Sequence, residues 1–178
     1  MVETEWFWLR RDPELLPIRN EQGLDRSNYP YFIDEAAFRA LDDRVAFYAH
    51  QGVDALGDFL FEPTFMIGDR YQQLFHFLAP EMEFRGVQLY EEKKREKAPM
   101  PIFWLPWLPC LDGIHADTRL RQGKPVELIL RREVLQGRRL VHLHLPAEDI
   151  WLASLEAAEC ILRRGPVGLR LEKIEKIR

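Results

Sequence analysis

The chain has 178 residues, of which 47% are hydrophobic and 30% are charged, and its formal net charge at pH 7 is −4. This length and composition are typical of one folded globular domain and exclude a disordered chain. The longest uncharged run, Ala98–Leu111, contains four prolines and is shorter than the roughly 20 apolar residues of a membrane helix. The sequence therefore predicts no membrane span.

The cysteines and the first residues bear on the compartment. Cys110 and Cys160 have neither metal-site nor disulfide-framework spacing, so we expect buried, reduced thiols. Glu3 and Glu5 lie where an export signal needs basic residues. Together these features predict a cytoplasmic protein.

The first predicted element is a strand at residues 5–9, where aromatic and aliphatic residues dominate. The segment 11–30 follows with three prolines and few apolar residues. We expect an irregular connection there, because proline interrupts both helices and strands.

A helix is predicted to begin after Asp34, whose side chain suits a helix N-cap. An alternative ends this helix near Asp42 and makes 45–48 a strand. We favour a single longer helix, because Gly52 lies where a stop is expected. Its apolar residues recur at helical spacing and are Phe38, Leu41, Val45 and Tyr48.

The middle of the chain is predicted to be extended around a second helix. Segments 59–61 and 64–67 are apolar and extended. Gly68 and Asp69 then begin a helix that ends before Pro80. Its apolar face consists of Tyr71, Leu74, Phe75 and Leu78.

Further strands are predicted on either side of a charged, exposed loop at 91–97. The last two of them are expected to form a hairpin after a turn at Gln136-Gly137. These strands are 82–90, 102–105, 127–130 and 140–145.

The last quarter of the chain is predicted to form a strand, a capped helix and a second strand. The first strand, 149–154, ends at Ser154, which suits a helix N-cap. Gly165-Pro166 stops the helix, and 168–174 resumes the alternation of a strand. The predicted helical face is Leu155, Ala158, Ile161 and Leu162. We therefore predict an α+β fold: one domain over residues 1–178, with a mixed, largely antiparallel sheet packed by about three helices.

A histidine pair is the first candidate for chemistry. His142 and His144 alternate on a predicted strand, so both imidazoles would point to one face and could share a metal. His115, Asp112 or Asp117 could supply a third ligand for a small metal-dependent hydrolase. The simpler interpretation, which we favour, places both histidines on the polar side of the strand opposite an apolar face. The sequence therefore predicts no metal ligand and no cofactor.

Two further motifs have simpler structural explanations. The segment 112–117 groups two carboxylates with a histidine and could hold a general base, but a turn at Asp112-Gly113 explains the same residues. The prolines of 106–109 match a ligand of polyproline-binding domains, but they also suit an edge strand and its exit, with Trp104 and Trp107 buried. We assign no catalytic residue.

The charge is distributed unevenly along the chain. Residues 1–75 carry 14 acidic and 7 basic side chains, and the acidic ones are densest over 34–69. Such a surface repels nucleic acid and attracts a basic protein surface. A face kept acidic for solubility alone would show the same pattern.

The order of several segments resembles an immunity-protein family of bacterial polymorphic toxin systems, the one named after a myxobacterial immunity protein. The resemblance covers about residues 57–175, whereas 1–56 show none. Residues 114–118 are a loose version of the family's central motif. The segments that carry the resemblance are Gly57–Leu60, Phe65–Asp69, Val87–Tyr90, Leu108–Asp112, Ile150–Ser154 with the helix to Leu162, and Gly168–Leu171.

The resemblance implies a small cytoplasmic, non-enzymatic protein that binds a cognate toxin and blocks its active site or another surface that it needs. Acidic side chains would steer association with a basic toxin surface. We predict contact through Asp34, Glu35, Asp42, Asp43, Asp54 and Asp58. No nucleic acid or membrane partner is expected, and homo-oligomerisation stays open. The alternatives are a structural or scaffolding subunit of a larger assembly and the hydrolase using His142 and His144.

Overall fold

The computed structural model describes residues 4–15, 34–49, 56–62, 64–91 and 101–178. Its helices are α1 (Glu35–Arg39), α2 (Asp69–Leu78), α3 (Arg132–Leu135) and α4 (Leu155–Leu162). Its strands are β1 (Trp6–Arg11), β2 (Arg44–Ala49), β3 (Phe59–Leu60), β4 (Met66–Gly68), β5 (Glu83–Glu91), β6 (Phe103–Trp107), β7 (Cys110–Leu111), β8 (Arg119–Arg121), β9 (Lys124–Glu127), β10 (Ile129–Leu130), β11 (Leu140–Leu145), β12 (Glu148–Ser154), β13 (Leu169–Lys173) and β14 (Lys176–Ile177).

Two five-stranded sheets form the body of the fold. The first has the strand order β13-β1-β12-β11-β7 and the second β2-β5-β6-β4-β3, while β10-β14 and β8-β9 form two-stranded sheets. Within the described residues, the β2–β5, β11–β7 and β10–β14 pairs are parallel and the others are antiparallel. The predicted α+β fold with mixed, largely antiparallel pairing is confirmed, in two main sheets instead of one.

The N-terminal strand is held between strands from the end of the chain. Trp6 pairs with Ser154 of β12, and Leu9 pairs with Leu171 of β13. Trp6 and Trp8 face one side of the sheet and Leu9 the other, and all three are buried. The first strand therefore closes onto the strand-helix-strand unit of the last quarter.

Among the described residues, apolar side chains pack into three clusters around these sheets. The largest joins α2 and α4 to one face of the first sheet, through residues such as Phe75, Ile161 and Trp151. The opposite face of that sheet packs against the α3 region, where Leu135 is buried. A third cluster lies where Phe38 of α1 covers β5 and β6. Amphipathic helices thus cover sheet faces that would otherwise expose apolar side chains.

The single long helix predicted after Asp34 is wrong, and the alternative is right. Helix α1 ends at Arg39, and the segment Arg44–Ala49 is strand β2, which pairs in parallel with β5 from Arg44↔Gly86 to Ala49↔Glu91. The apolar spacing fitted both structures. The strand forms because its backbone hydrogen-bonds to the distant strand β5. The β-branched and aromatic residues of this segment also suit a pleated strand.

The predicted edge position of the 102–105 strand is also wrong, because β6 lies between β5 and β4. Its Pro106 is nevertheless tolerated. Strand β4 pairs with β6 at Phe103 and Trp104, whereas at Pro106 the partner is Phe84 of β5. The missing N–H of proline therefore falls where β4 has already ended.

Two further predictions need correction, and one short helix was not predicted. The 127–130 segment does not form a hairpin with 140–145: β10 pairs with β14, and β11 pairs with β12 and β7. The short helix α3 intervenes and was not predicted. On α4, Leu155 and Leu162 are 39% and 51% exposed, because Ala157 faces the core beside Ala158 and Ile161. Most of the predicted connection 11–30 and loop 91–97 lies outside the described residues.

Candidate functional site

Two of the predicted contact residues, Asp34 and Glu35, begin helix α1. Asp34 Oδ1 accepts hydrogen bonds from the backbone N–H of Ala36 at 2.8 Å and of Ala37 at 3.2 Å, so it is the N-cap that the sequence predicts. Glu35 lies 2.6 Å from the guanidinium of Arg39 one turn later. Both side chains are exposed, and both also stabilise helix α1 through these contacts.

Asp42 and Asp43 lie in the turn between α1 and β2 and are exposed. No ion pair of either carboxylate occurs within the described part of the chain. The backbone of the turn is held in place, because the N–H of Gly86 donates to the carbonyl of Asp43 at 2.9 Å. This turn therefore presents two negative charges from a fixed backbone.

Helix α1 is anchored strongly for its length. Phe38 is 1% exposed and stacks on Trp107 with ring centroids 5.8 Å apart. Arg39 Nη2 lies 2.6 Å from Glu83 Oε1. The hydrogen bond to Arg39 lowers the pKa of Glu83, and the carboxylate in turn raises the pKa of Arg39. Arg85 Nη2 donates to the Arg39 carbonyl at 3.3 Å.

Asp58 takes part in a clamp inside the molecule. Its two carboxylate oxygens accept from Arg70 Nε at 2.7 Å and Nη2 at 2.6 Å, and Oδ2 also accepts from the N–H of Val167 at 2.8 Å. Arg70 donates further to the carbonyls of Arg164 and Gly165. The bond to Asp58 raises the pKa of Arg70. With 18% of its side chain exposed, Asp58 joins the start of α2 to the turn after α4.

The six predicted contact residues thus differ in exposure and in their partners within the protein. Asp54 lies outside the described residues. Asp58 is mostly enclosed by its own fold, Asp34 and Glu35 are exposed with helical partners, and Asp42 and Asp43 are exposed without an ion pair among the described residues.

Both histidines of the candidate pair lie near one carboxylate, that of Asp149, which was not predicted to be their neighbour. Asp149 Oδ1 lies 3.0 Å from His144 Nδ1 and 3.4 Å from His142 Nε2. The register explains this, since β11 and β12 join through a two-residue turn that pairs His144 with Asp149 and His142 with Trp151. Recognition of a tight turn at Pro146-Ala147 would have predicted the contact.

His142 is buried, and its tautomer follows from its partner. Its Nδ1 lies 3.2 Å from the carbonyl oxygen of Leu108, which only accepts, so Nδ1 carries a proton. Its ring stacks on Trp151 and is 2% exposed. The expectation that both histidines lie on an exposed polar side is therefore wrong for His142, although Val141, Leu143 and Leu145 do form the opposite apolar face.

A small cavity of about 10 Å³ lies beside this cluster. The buried Trp107 Nε1 and His142 Nε2 both lack a hydrogen-bond partner in the described residues, and both residues line the cavity together with Thr64 and Asp149. A space of this size admits no more than about one water molecule, so the cavity is too small to hold a substrate.

The remaining candidates for chemistry are dispersed. Asp112 pairs with Arg131 at 2.8 Å, and Asp117 pairs with Arg178, while His115 Nδ1 accepts from the N–H of Asp117 at 3.2 Å. Among the described residues, no group of three His, Cys, Asp or Glu side chains is arranged to hold a metal ion. The hydrolase hypothesis therefore gains no site from these residues.

The Trp-rich segment 102–108 belongs mainly to the core. Phe103, Leu105, Trp107 and Leu108 are buried, whereas Trp104 is half-buried and donates its indole N–H to Asp69 at 2.8 Å. The proline motif is therefore part of a strand and its exit. Cys110 and Cys160 are both half-buried, which corrects the expectation of buried thiols.

Within the described part of the chain, every helix is too short or too polar to cross a bilayer. No protein-family model matches the chain, and no curated protein matches it at a significant level.

Proposed function

We propose that this chain is a non-enzymatic binding protein of the immunity type, which neutralises a cognate protein toxin by covering the toxin's active site or another surface that it needs. The observation that carries this proposal is the exposed Asp42-Asp43 turn on its anchored helix. The segment order that resembles an immunity family over residues 57–175 supports the same function.

The turn has the properties of a recognition element for a basic surface. Its carboxylates are exposed, and the neighbouring helix is fixed by Phe38 in the core and by the Arg39–Glu83 ion pair. A fixed backbone reduces the conformational entropy lost on binding. Exposed acidic side chains also increase the rate of encounter with a positively charged protein.

The first experiment is to identify the partner. The protein is purified by affinity from its native lysate, and co-purifying proteins are identified by mass spectrometry and then expressed alone. The proposal expects one stoichiometric partner that kills cells when expressed alone and is tolerated when this chain is co-expressed. Recovery of no such partner, or of further copies of this chain only, would contradict it.

The second experiment tests the surface. The variant Asp42→Lys/Asp43→Lys should slow association with the partner about tenfold at low salt, with a smaller effect at high salt, because screening weakens long-range attraction. The matched control is Glu81→Lys/Glu175→Lys, which makes the same change in net charge at exposed sites elsewhere. Equal association rates for the two variants would show that the turn is not the contact surface.

A further inference from the structure

The two-stranded ribbon formed by β8 and β9 projects its side chains into solvent but is held firmly at both ends. At its base, Thr118 Oγ1 donates to the carbonyl of Ile129 at 3.0 Å and accepts from the N–H of the same residue at 3.1 Å. At its tip, a Cβ on Gly123 would lie 2.9 Å from Cβ of Ala147, so the tip rests against the β11–β12 turn. The ribbon therefore has a fixed position on the molecule.

The ribbon carries three cations that form no ion pair among the described residues. Arg119 and Arg121 alternate along β8 and share a face, and Lys124 lies directly opposite Arg121 in the register. Arg119 lies opposite Glu127, whose carboxylate pairs instead with Lys176 at 2.7 Å. All three ribbon cations are exposed, and within the described residues none makes an ion pair or a side-chain hydrogen bond. Like charges directly opposite each other destabilise a strand pair, and a negatively charged ligand would relieve that repulsion.

The two outer edges of the ribbon differ in their capacity to bind another strand. Gln122 and Gly123 have φ of 53° and 76°, as in a type I′ turn, so Arg121 and Lys124 form the hydrogen-bonded pair that closes it. In the next pair, Leu120 and Pro125, main-chain polar groups point outward. Leu120 offers both N–H and C=O on the β8 edge, whereas Pro125 has no N–H to offer.

The ribbon also carries exposed apolar side chains, and that of Leu120 lies on the face of β8 opposite Arg119 and Arg121. Leu120 is 46% exposed, and Val126, the extra residue of a bulge in β9, is 69% exposed. Within the described residues, β8 pairs with β9 alone. An available strand edge, aliphatic side chains and three cations thus occur together on one rigid element.

We propose that this ribbon is a docking arm for an extended acidic segment of a partner protein, which adds as a strand along the outer edge of β8. Its carboxylates meet Arg119 and Arg121, with Lys124 adding to the positive charge, and its alternate, apolar side chains contact Leu120 on the opposite face of β8. The strand edge and the aliphatic side chains favour a polypeptide over a nucleic acid. This inference is independent of the proposed function, because it concerns a cationic surface and different residues.

The test uses the full chain and three fluorescein-labelled probes: an end-blocked peptide alternating glutamate and valine, the same peptide with glutamine for glutamate, and oligothymidylate. Affinity is measured by fluorescence anisotropy, and the site is located by backbone amide chemical shifts. The proposal expects the acidic peptide to bind most tightly and to shift the amides of 119–127.

Two variants separate charge from strand addition. Arg121→Glu/Lys124→Glu keeps like charges opposite each other, so the repulsion within the ribbon is preserved, yet it should weaken the acidic peptide roughly tenfold. The charge-matched control is Arg138→Glu/Arg163→Glu, at exposed sites outside the ribbon. Leu120→Pro removes the outward N–H, and Leu120→Ser controls for loss of the side chain; only the proline variant should lose strand addition.

Several outcomes would overturn the proposal. They are no peptide binding up to about 1 mM, amide shifts outside the ribbon, an equal effect of the control reversal, or equal binding by the proline and serine variants. Tighter binding of oligothymidylate through the same residues would make the ribbon a nucleic-acid site and would contradict a protein partner.

Discussion

The imidazole of His142 lies flat against the indole of its cross-strand partner Trp151, with ring centroids 4.5 Å apart and planes 12° from parallel. The same imidazole donates to the carbonyl of Leu108, which directly follows β6 of the second sheet. One buried side chain therefore completes the packing of the first sheet and links it to the chain leaving the second.

Replacement of His142 should destabilise the fold. His142→Ala removes the stacked ring, leaves a cavity and leaves the buried carbonyl of Leu108 without its hydrogen-bond donor. Together these losses should lower the free energy of unfolding by about 3 kcal/mol. The half-exposed His144 is the matched control, and His144→Ala should lower it by less than about 1 kcal/mol. Urea denaturation measures both values. Similar values for the two variants would contradict a structural role specific to His142.

Gly168 is required by both conformation and space. Its φ is 89°, and a Cβ would lie 2.9 Å from the carbonyl oxygen of Phe59. Gly168→Ala should therefore lower the free energy of unfolding by about 3 kcal/mol or more. Gly137 has φ of 71° with nothing within 4 Å of its Cβ position, so Gly137→Ala should lose only about 1 kcal/mol. Thermal unfolding of the two variants side by side separates crowding from conformation, and equal losses would show that crowding contributes nothing.

Asp58 should contribute to stability more than the exposed acidic residues. Asp58→Ala removes three hydrogen bonds and leaves Arg70 without its carboxylate, which should lower the free energy of unfolding by about 2 kcal/mol. Asp42→Ala, at an exposed site, should change it by less than about 0.5 kcal/mol. Guanidinium denaturation checks the difference. Equal stability of the two variants would mean that the clamp contributes little.

The Arg39–Glu83 pair makes part of the stability dependent on pH. The folded-state pKa of Glu83 is lowered by its hydrogen bond to Arg39. Its contribution is therefore fully present above the pKa of an unfolded glutamate and is lost as the pH falls through the lowered folded value. Urea midpoints between neutral and acidic pH should fall less steeply for Glu83→Gln than for the unchanged protein. Identical pH profiles would contradict a contribution from this pair.

Local signals in the sequence were sufficient for several elements. Helix α2 has the predicted buried face of Tyr71, Leu74, Phe75 and Leu78. Ser154 caps α4 through a hydrogen bond from the N–H of Ala157, as the strand-to-helix boundary predicted. Caps, apolar periodicity and glycine stops act over a few residues, so they can be read without knowledge of distant partners.

The candidate site could be predicted only in part. The sequence indicated an acidic surface. It did not indicate which of the six carboxylates would form contacts within the protein and which would stay exposed. Asp58 became a clamp because Arg70 and Val167 come to it from distant parts of the chain, while Asp42 and Asp43 have no such neighbours among the described residues. Intramolecular partners, not residue type, decide which charges stay available for binding.

The sequence by itself determined the α+β class, the second helix and the strand-helix-strand ending, because these depend on neighbouring residues. Only the tertiary structure decided that 44–49 is a strand beside β5, that β6 is central despite Pro106, and that Asp149 contacts both histidines. Strand pairing joins residues far apart in the chain, so its hydrogen bonds decide between two structures that the local pattern fits equally well.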